Sequence, residues 1–207
     1  MEVDGFSADV AAALGATIAL PLVIPAALGQ PPMSVPRYAA ELRRVANGVV
    51  RVASFGKGSA ARIDDGAGLP TFAELFVSSR LRNVGWKCTW ASAYPILRYI
   101  ESWSWDSRKP SVSPPPAHVL EILDGIAAIR QSLTKPLKRP FGGIPDVIAW
   151  RGLDLLMIEC KRRKEDQIRQ NQAEWMQATV LAGMTVSQLG VFEWHYADEL
   201  GSKDGRP

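Results

Sequence analysis

Cysteine and histidine are nearly absent: the 207 residues include only Cys88, Cys160, His118 and His195. Two cysteines make no disulfide framework, and this supply of both residues excludes a Cys/His zinc finger. It also argues against a His-based hydrolase triad, and points to a reducing, cytoplasmic compartment. Charge of either sign is missing from residues 10–36. The apolar run 11–28 within it approaches the roughly 20 residues that span a bilayer. Pro21, Pro25 and an Ala/Gly-rich composition weigh against a span, and the acidic Glu2, Asp4 and Asp9 are not the basic start of a signal peptide. The expectation is a soluble apolar extension with no membrane attachment.

Apolar residues supply 47% of the chain, enough for the core of one good-sized domain. Net charge is only +3, from 24 basic and 21 acidic residues, but it is unevenly spread. Residues 135–170 hold nine basic and five acidic side chains, whereas the stretch from 171 onward is acidic on balance. A basic centre with carboxylates embedded in it suits a polyanionic partner.

Residues 1–69 read as an N-terminal extension, 70–195 as a domain with an insertion at about 92–141, and 196–207 as a polar C-terminal tail. In the extension, a helix is expected at 38–46 and a strand at 49–53. Gly56-Lys57-Gly58-Ser59 lacks the four-residue spacer of a phosphate loop. Thr71 and Glu74 have the spacing of a capping box, opening a helix that runs to about Asn83 and is stopped by Gly85. A strand follows at 86–90. After the prolines 114–116, a helix at 117–133 carries Val119, Leu123, Ile126 and Ile129 on one stripe. Strands at 147–150 and 155–161, a helix at 166–182 ended by Gly183, and a strand at 186–194 complete an α/β chain with a mixed sheet.

Gly152 at the first central position of a two-residue loop suits a type II′ hairpin. Counting back from that turn puts Arg151 opposite Asp154, Trp150 opposite Leu155, and Asp146 opposite Glu159. Opposed side chains lie roughly 4.5–5.5 Å apart at Cβ, where like charges repel. A divalent cation between them turns that conflict into attraction. Leu155-Leu156-Met157-Ile158 is continuously apolar, as a strand buried on both faces should be. Glu159 and Lys161 then share one face, while Cys160 points to the other. Hard oxygen ligands of this kind suit Mg²⁺, with Mn²⁺ as a substitute, and Lys161 can stabilise charge or orient water beside them. The plainer alternative is a solvated hairpin end with Lys161 paired to Glu159.

Gly142-Gly143-Ile144-Pro145-Asp146, then Glu159-Cys160-Lys161, then Asp166-Gln167-Ile168-Arg169-Gln170-Asn171-Gln172 resembles the PD-(D/E)xK nucleases. Within them it is similar to the virus-type replication-repair nuclease (VRR-NUC) domain. The likeness is strong over 141–194 and looser over 71–91. It implies a restriction-endonuclease-like core, with a mixed central β-sheet flanked by helices, and an Mg²⁺-dependent phosphodiesterase acting on DNA without an organic cofactor. By the same likeness Asp146 and Glu159 are metal ligands, the Cys160 backbone carbonyl adds another, and Lys161 is catalytic. Glu74 maps onto an acidic ligand on the preceding helix, against its alternative as a capping residue. Gln172 maps beside the site, against its alternative as a hydrogen-bonded core glutamine. Asp166 reads as a helix N-cap, and Trp150, Trp175 and Trp194 as core.

The family's usual Gly-Pro-Asn after the lysine is replaced here by Arg162-Arg163-Lys164-Glu165. Arg162, Arg163 and Lys164, with Lys138 and Arg139, are candidate DNA contacts, and a solvated loop is the alternative. Standalone family members cut branched DNA as dimers, so junction DNA and a homodimer are the implied partners. Two other functions remain open: a sequence-specific restriction or transposition endonuclease, and a non-catalytic DNA-binding module on the same fold.

Overall fold

A strand whose central residues are all apolar needs cover on both faces, and the elements are arranged around that requirement. The computed structural model describes residues 5–45, 54–55, 59–60, 62–93, 97–104, 107, 109–134 and 140–199. The chain runs through α1 (Gly5–Leu14), β1 (Thr17–Ile24) and β2 (Met33–Leu42). Four two-residue strands follow: β3 (Ser54–Phe55), β4 (Ser59–Ala60), β5 (Ile63–Asp64) and β6 (Pro70–Thr71). Next come α2 (Ala73–Arg82), β7 (Lys87–Ser92), β8 (Arg98–Ser104), β9 (Lys109–Val112) and α3 (Ala117–Leu133). The last stretch is β10 (Val147–Arg151), β11 (Asp154–Arg162), α4 (Gln170–Leu181) and β12 (Leu189–Tyr196).

Eight strands form one mixed sheet in the order β1-β2-β12-β11-β10-β7-β8-β9. β2, β12 and β11 run parallel, and the remaining neighbours are antiparallel. On one face α1 and α2 pack Val10, Leu14, Phe76 and Leu81 against Ala149, Leu156, Ile158 and Phe192. On the other, α3 and α4 pack Leu123, Ile126, Trp175 and Met176 against Ile148, Leu155, Met157 and Val191. This is the α/β architecture of a restriction-endonuclease-like core. The parallel β11–α4–β12 unit and the antiparallel β10–β11 hairpin meet at the C-terminal end of β11, and there the chain brings its polar residues together.

The hairpin register is as expected, with Arg151 paired to Asp154 and Trp150 to Leu155. Gly152 has φ +62°, while Leu153 stays outside the left-handed region, the pattern of a II′ turn. The helix over 117–133 also forms as expected.

Elsewhere the chain departs from the reading of its sequence. Residues 38–42, expected to be helical, belong to strand β2, which lies parallel to β12. The local residues favour helix, but Tyr38, Ala40 and Leu42 alternate into the core once β12 is beside them. The strand expected at 49–53 lies outside the described residues. The apolar run 11–28 is divided between α1 and β1, and no helix of the described residues is long and apolar enough to cross a membrane. α4 starts at Gln170 rather than 166, because Lys164 at φ +66° and a turn closed by the Asp166 N–H on the Arg162 carbonyl delay it. Asp166 is therefore not its N-cap. The strand expected from 186 begins as a 3₁₀ turn, Val186–Gln188, and becomes β12 only at Leu189.

Candidate active site

Asp146 lies one residue before β10, and Glu159 and Lys161 lie near the end of β11, so the hairpin register alone delivers all three to one end of the sheet. The loop that carries Asp146 is held from two sides. Arg130, only 2% exposed on α3, donates to the carbonyls of Pro140 and Gly142, and its Nη2 pairs with Glu174 of α4 at 2.9 Å. Gly143, at φ +92°, lies against the first turn of α4, where a Cβ would meet the Asn171 carbonyl oxygen at 2.3 Å. A glycine is required there on both counts.

These residues line a cleft of about 800 Å³ whose walls include Glu74, Asp146, Glu159, Lys161, Arg169 and Gln172. The backbone N–H of Cys160 donates to Asp146 Oδ2 at 2.9 Å. Lys161 Nζ lies 2.9 Å from Glu159 Oε1, the oxygen that also accepts from Gln172 Nε2. Glu159 is 1% exposed, and its other oxygen, Oε2, is buried without a hydrogen-bond partner. The Gln172 Oε1 accepts from the backbone N–H of Arg169 at 2.9 Å, so one amide joins the start of α4 to Glu159. Gln172 itself is half-buried at the cleft wall and not part of the core.

Glu74 sits in the first turn of α2, on the opposite side of the sheet from α4, yet reaches the same cleft. The capping box expected of it is not formed: the N-cap is Phe72, with no side-chain cap, and the Thr71 hydroxyl turns to the Phe72 carbonyl. The Glu74 carboxyl is pushed up to about 8 by burial and then by the Asp146 carboxylate. Burial also raises Asp146, opposed by the Cys160 N–H and by Lys161. Glu159 is held well above the ordinary carboxylate range by burial and next by Asp146. Each carboxyl is raised chiefly because burial disfavours its charged form, and the mutual repulsion of the carboxylates adds to this while Lys161 opposes it.

A divalent cation fits this donor set. Glu159 Oε2 is a buried acceptor without a hydrogen-bond donor, in a carboxylate that lies beside the Asp146 carboxyl, and an unsatisfied carboxylate oxygen is costly. Among the described residues no three His, Cys, Asp or Glu side chains are grouped so as to hold a metal ion. An Mg²⁺ ion does not need such a group, since it is commonly held by one or two carboxylates and keeps several waters. The Cys160 thiol belongs to the opposite core and burial holds it well above its usual value, which leaves only its backbone carbonyl as a ligand.

The remaining expected contacts separate. Arg162 pairs with Glu165 at 2.5 Å and with Glu199, and its guanidinium lies 5.0 Å from the Tyr196 ring centroid. Arg163 and Lys164 stay exposed, and Lys138 and Arg139 lie outside the described residues. Trp175 is fully buried, while Trp150 and Trp194 pack at the margins of the two cores. Sequence reasoning missed Arg130 and Arg169 in the cleft wall. Arg130 carried a signal, because it continues the Leu123–Ile126 stripe by one turn.

Residues 107–193 match the family model of the VRR-NUC domain. The matched segment contains Asp146, Glu159, Lys161 and Gln172 and begins after α2, so it excludes Glu74. No curated protein and no solved structure matches the chain.

Proposed function

We propose, for a chain that carries the nuclease-family VRR-NUC domain over residues 107–193, that the cleft hydrolyses DNA phosphodiester bonds with a divalent cation. The observation that carries this reading is the Asp146–Glu159 pair beside Lys161, with Glu159 Oε2 buried and without a donor. Asp146 and Glu159 would hold Mg²⁺ or Mn²⁺, with the Cys160 carbonyl and Glu74 at the edge of the set. When bound, such an ion supplies charge neutralisation at the phosphate and lowers the pKa of an attached water.

The chain's own groups have separate tasks. Gln172 fixes the Glu159 carboxylate through Oε1 and leaves Oε2 for the cation. The Cys160 N–H fixes Asp146 in the same way. Lys161 Nζ, anchored by Glu159, presents its other protons to the charge that develops on the phosphate oxygens during in-line attack. Preference for branched or junction DNA and action as a homodimer are part of the proposal, supported by the family resemblance.

The test is cleavage of end-labelled single-stranded, duplex, flap and four-way-junction DNA in Mg²⁺, Mn²⁺ or EDTA, beside Asp146→Ala. Metal-dependent product that vanishes in the variant is the expected result, with the flap or junction cut fastest. Intact DNA in every lane together with a salt-dependent mobility shift would leave only a binding module. Cutting confined to one sequence would favour a restriction-type enzyme.

A further inference from the structure

We propose that Arg169 grips a phosphate of the strand lying in the cleft. The inference rests on the nuclease reading and assigns a substrate contact within the same site.

Three cations line the cleft: Arg130, Lys161 and Arg169. Lys161 is committed to Glu159 at 2.9 Å. Arg130 is buried against Glu174 and directs its other donors to backbone carbonyls. Arg169 is exposed and has no ion-pair partner among the described residues. A polyanion entering beside Glu74, Asp146 and Glu159 meets repulsion. A bound cation offsets it near the reacting phosphate, and its influence fades over about 10 Å in ordinary salt. The uncommitted guanidinium is the further attraction that the wall provides, and its planar fork matches two phosphate oxygens.

The position of Arg169 is also set by the site. Its N–H donates to Gln172 Oε1 at 2.9 Å, and the same amide donates from Nε2 to Glu159. The backbone from which Arg169 reaches is therefore tied, through one amide, to the carboxylate that would hold the cation. Contact of this kind reads no bases, so it acts alike on every sequence. It also shifts the main phosphate contact away from Arg162, whose charge is already taken by Glu165 and Glu199.

The experiment compares wild type, Arg169→Ala and Arg169→Lys as full chains, using a fluorescent duplex oligonucleotide in Ca²⁺ over a salt series, then cleavage in Mg²⁺. Arg169→Ala is expected to bind roughly tenfold more weakly or worse, with a salt slope smaller by about one. KM should rise more than kcat falls. Arg169→Lys should recover the salt slope and part of the affinity. Unchanged affinity and slope in Arg169→Ala would overturn the assignment while leaving the nuclease intact. A wild type that binds but never cuts would remove the nuclease reading, and the binding comparison would still decide Arg169. A wild type that binds no DNA would overturn both.

Discussion

Glu159 is the residue on which most of the site converges, because one of its oxygens takes two donors and the other takes none. Glu159→Gln removes the charge that holds both Lys161 and the proposed cation. Cleavage by this variant is expected to fall by at least about a hundredfold, in line with loss of one electrostatic catalytic group, with its fold checked by circular dichroism. Lys161→Ala should lower kcat comparably and leave DNA affinity nearly unchanged; full activity in this variant would dismiss the constellation. The pH dependence of stability follows from the same three carboxyls. Their values are raised in the folded, metal-free chain, so the folded state keeps protons that the unfolded chain gives up. The contribution of these three groups to stability in EDTA is therefore greatest below the ordinary carboxylate range. It declines as pH rises from there through about 8, the value for Glu74. Thermal melts in EDTA between pH 5 and pH 8 should show that decline, and Glu74→Gln should flatten it. Added Mn²⁺ should raise Tm more at pH 8 than at pH 6.

At the scale of elements, the loop carrying Asp146 and the first turn of α4 are one unit. Gly143→Ala puts a Cβ against the Asn171 carbonyl at a left-handed φ, so it should lose about 2–4 kcal/mol in urea unfolding. A second join lies further along α4. Gln177, 2% exposed, donates to the carbonyls of Pro25 and Pro31 and accepts from the Ala27 N–H. Gln177→Ala leaves those buried backbone groups without partners and is expected to cost about 1–3 kcal/mol. This scale also shows what could be read in advance. The β10–β11 hairpin was legible because Gly152 fixes its own register locally, and Asp146, Glu159 and Lys161 come with it. The 117–133 helix was legible from its stripe. β2 was not, since its strand character depends on a partner from the other end of the chain. The start of α4 was missed because Lys164 turns left-handed, a choice its residue type does not announce. Glu74 was half legible: its spacing suggested a cap while the family resemblance mapped it to the site, and the packing of α2 against the sheet puts it in the cleft wall.

At the scale of the whole molecule, residues from the two halves of the sequence share one sheet. Removing residues 1–42 would strip β1 and β2 and expose a flank of β12, whose Phe192 and Tyr196 are buried. Such a truncation is expected to be insoluble or to lack a cooperative melt, checked by expression yield and calorimetry. The pairing of Arg37 with Val191 has a consequence for synthesis. β2 can meet β1 at once, but a ribosome must pass residue 196 before β2 can pair fully with β12, and contacts this distant in sequence close slowly. β11, on the far side of β12 from β2, bears Glu159 and Lys161 and pairs with β12 along that edge. A nascent polypeptide that has not reached β12 therefore lacks the strand that pairs with the one carrying Glu159. The carboxylates of the cleft are thus expected to come together only once β12 has emerged, and not while the strands before it are being made.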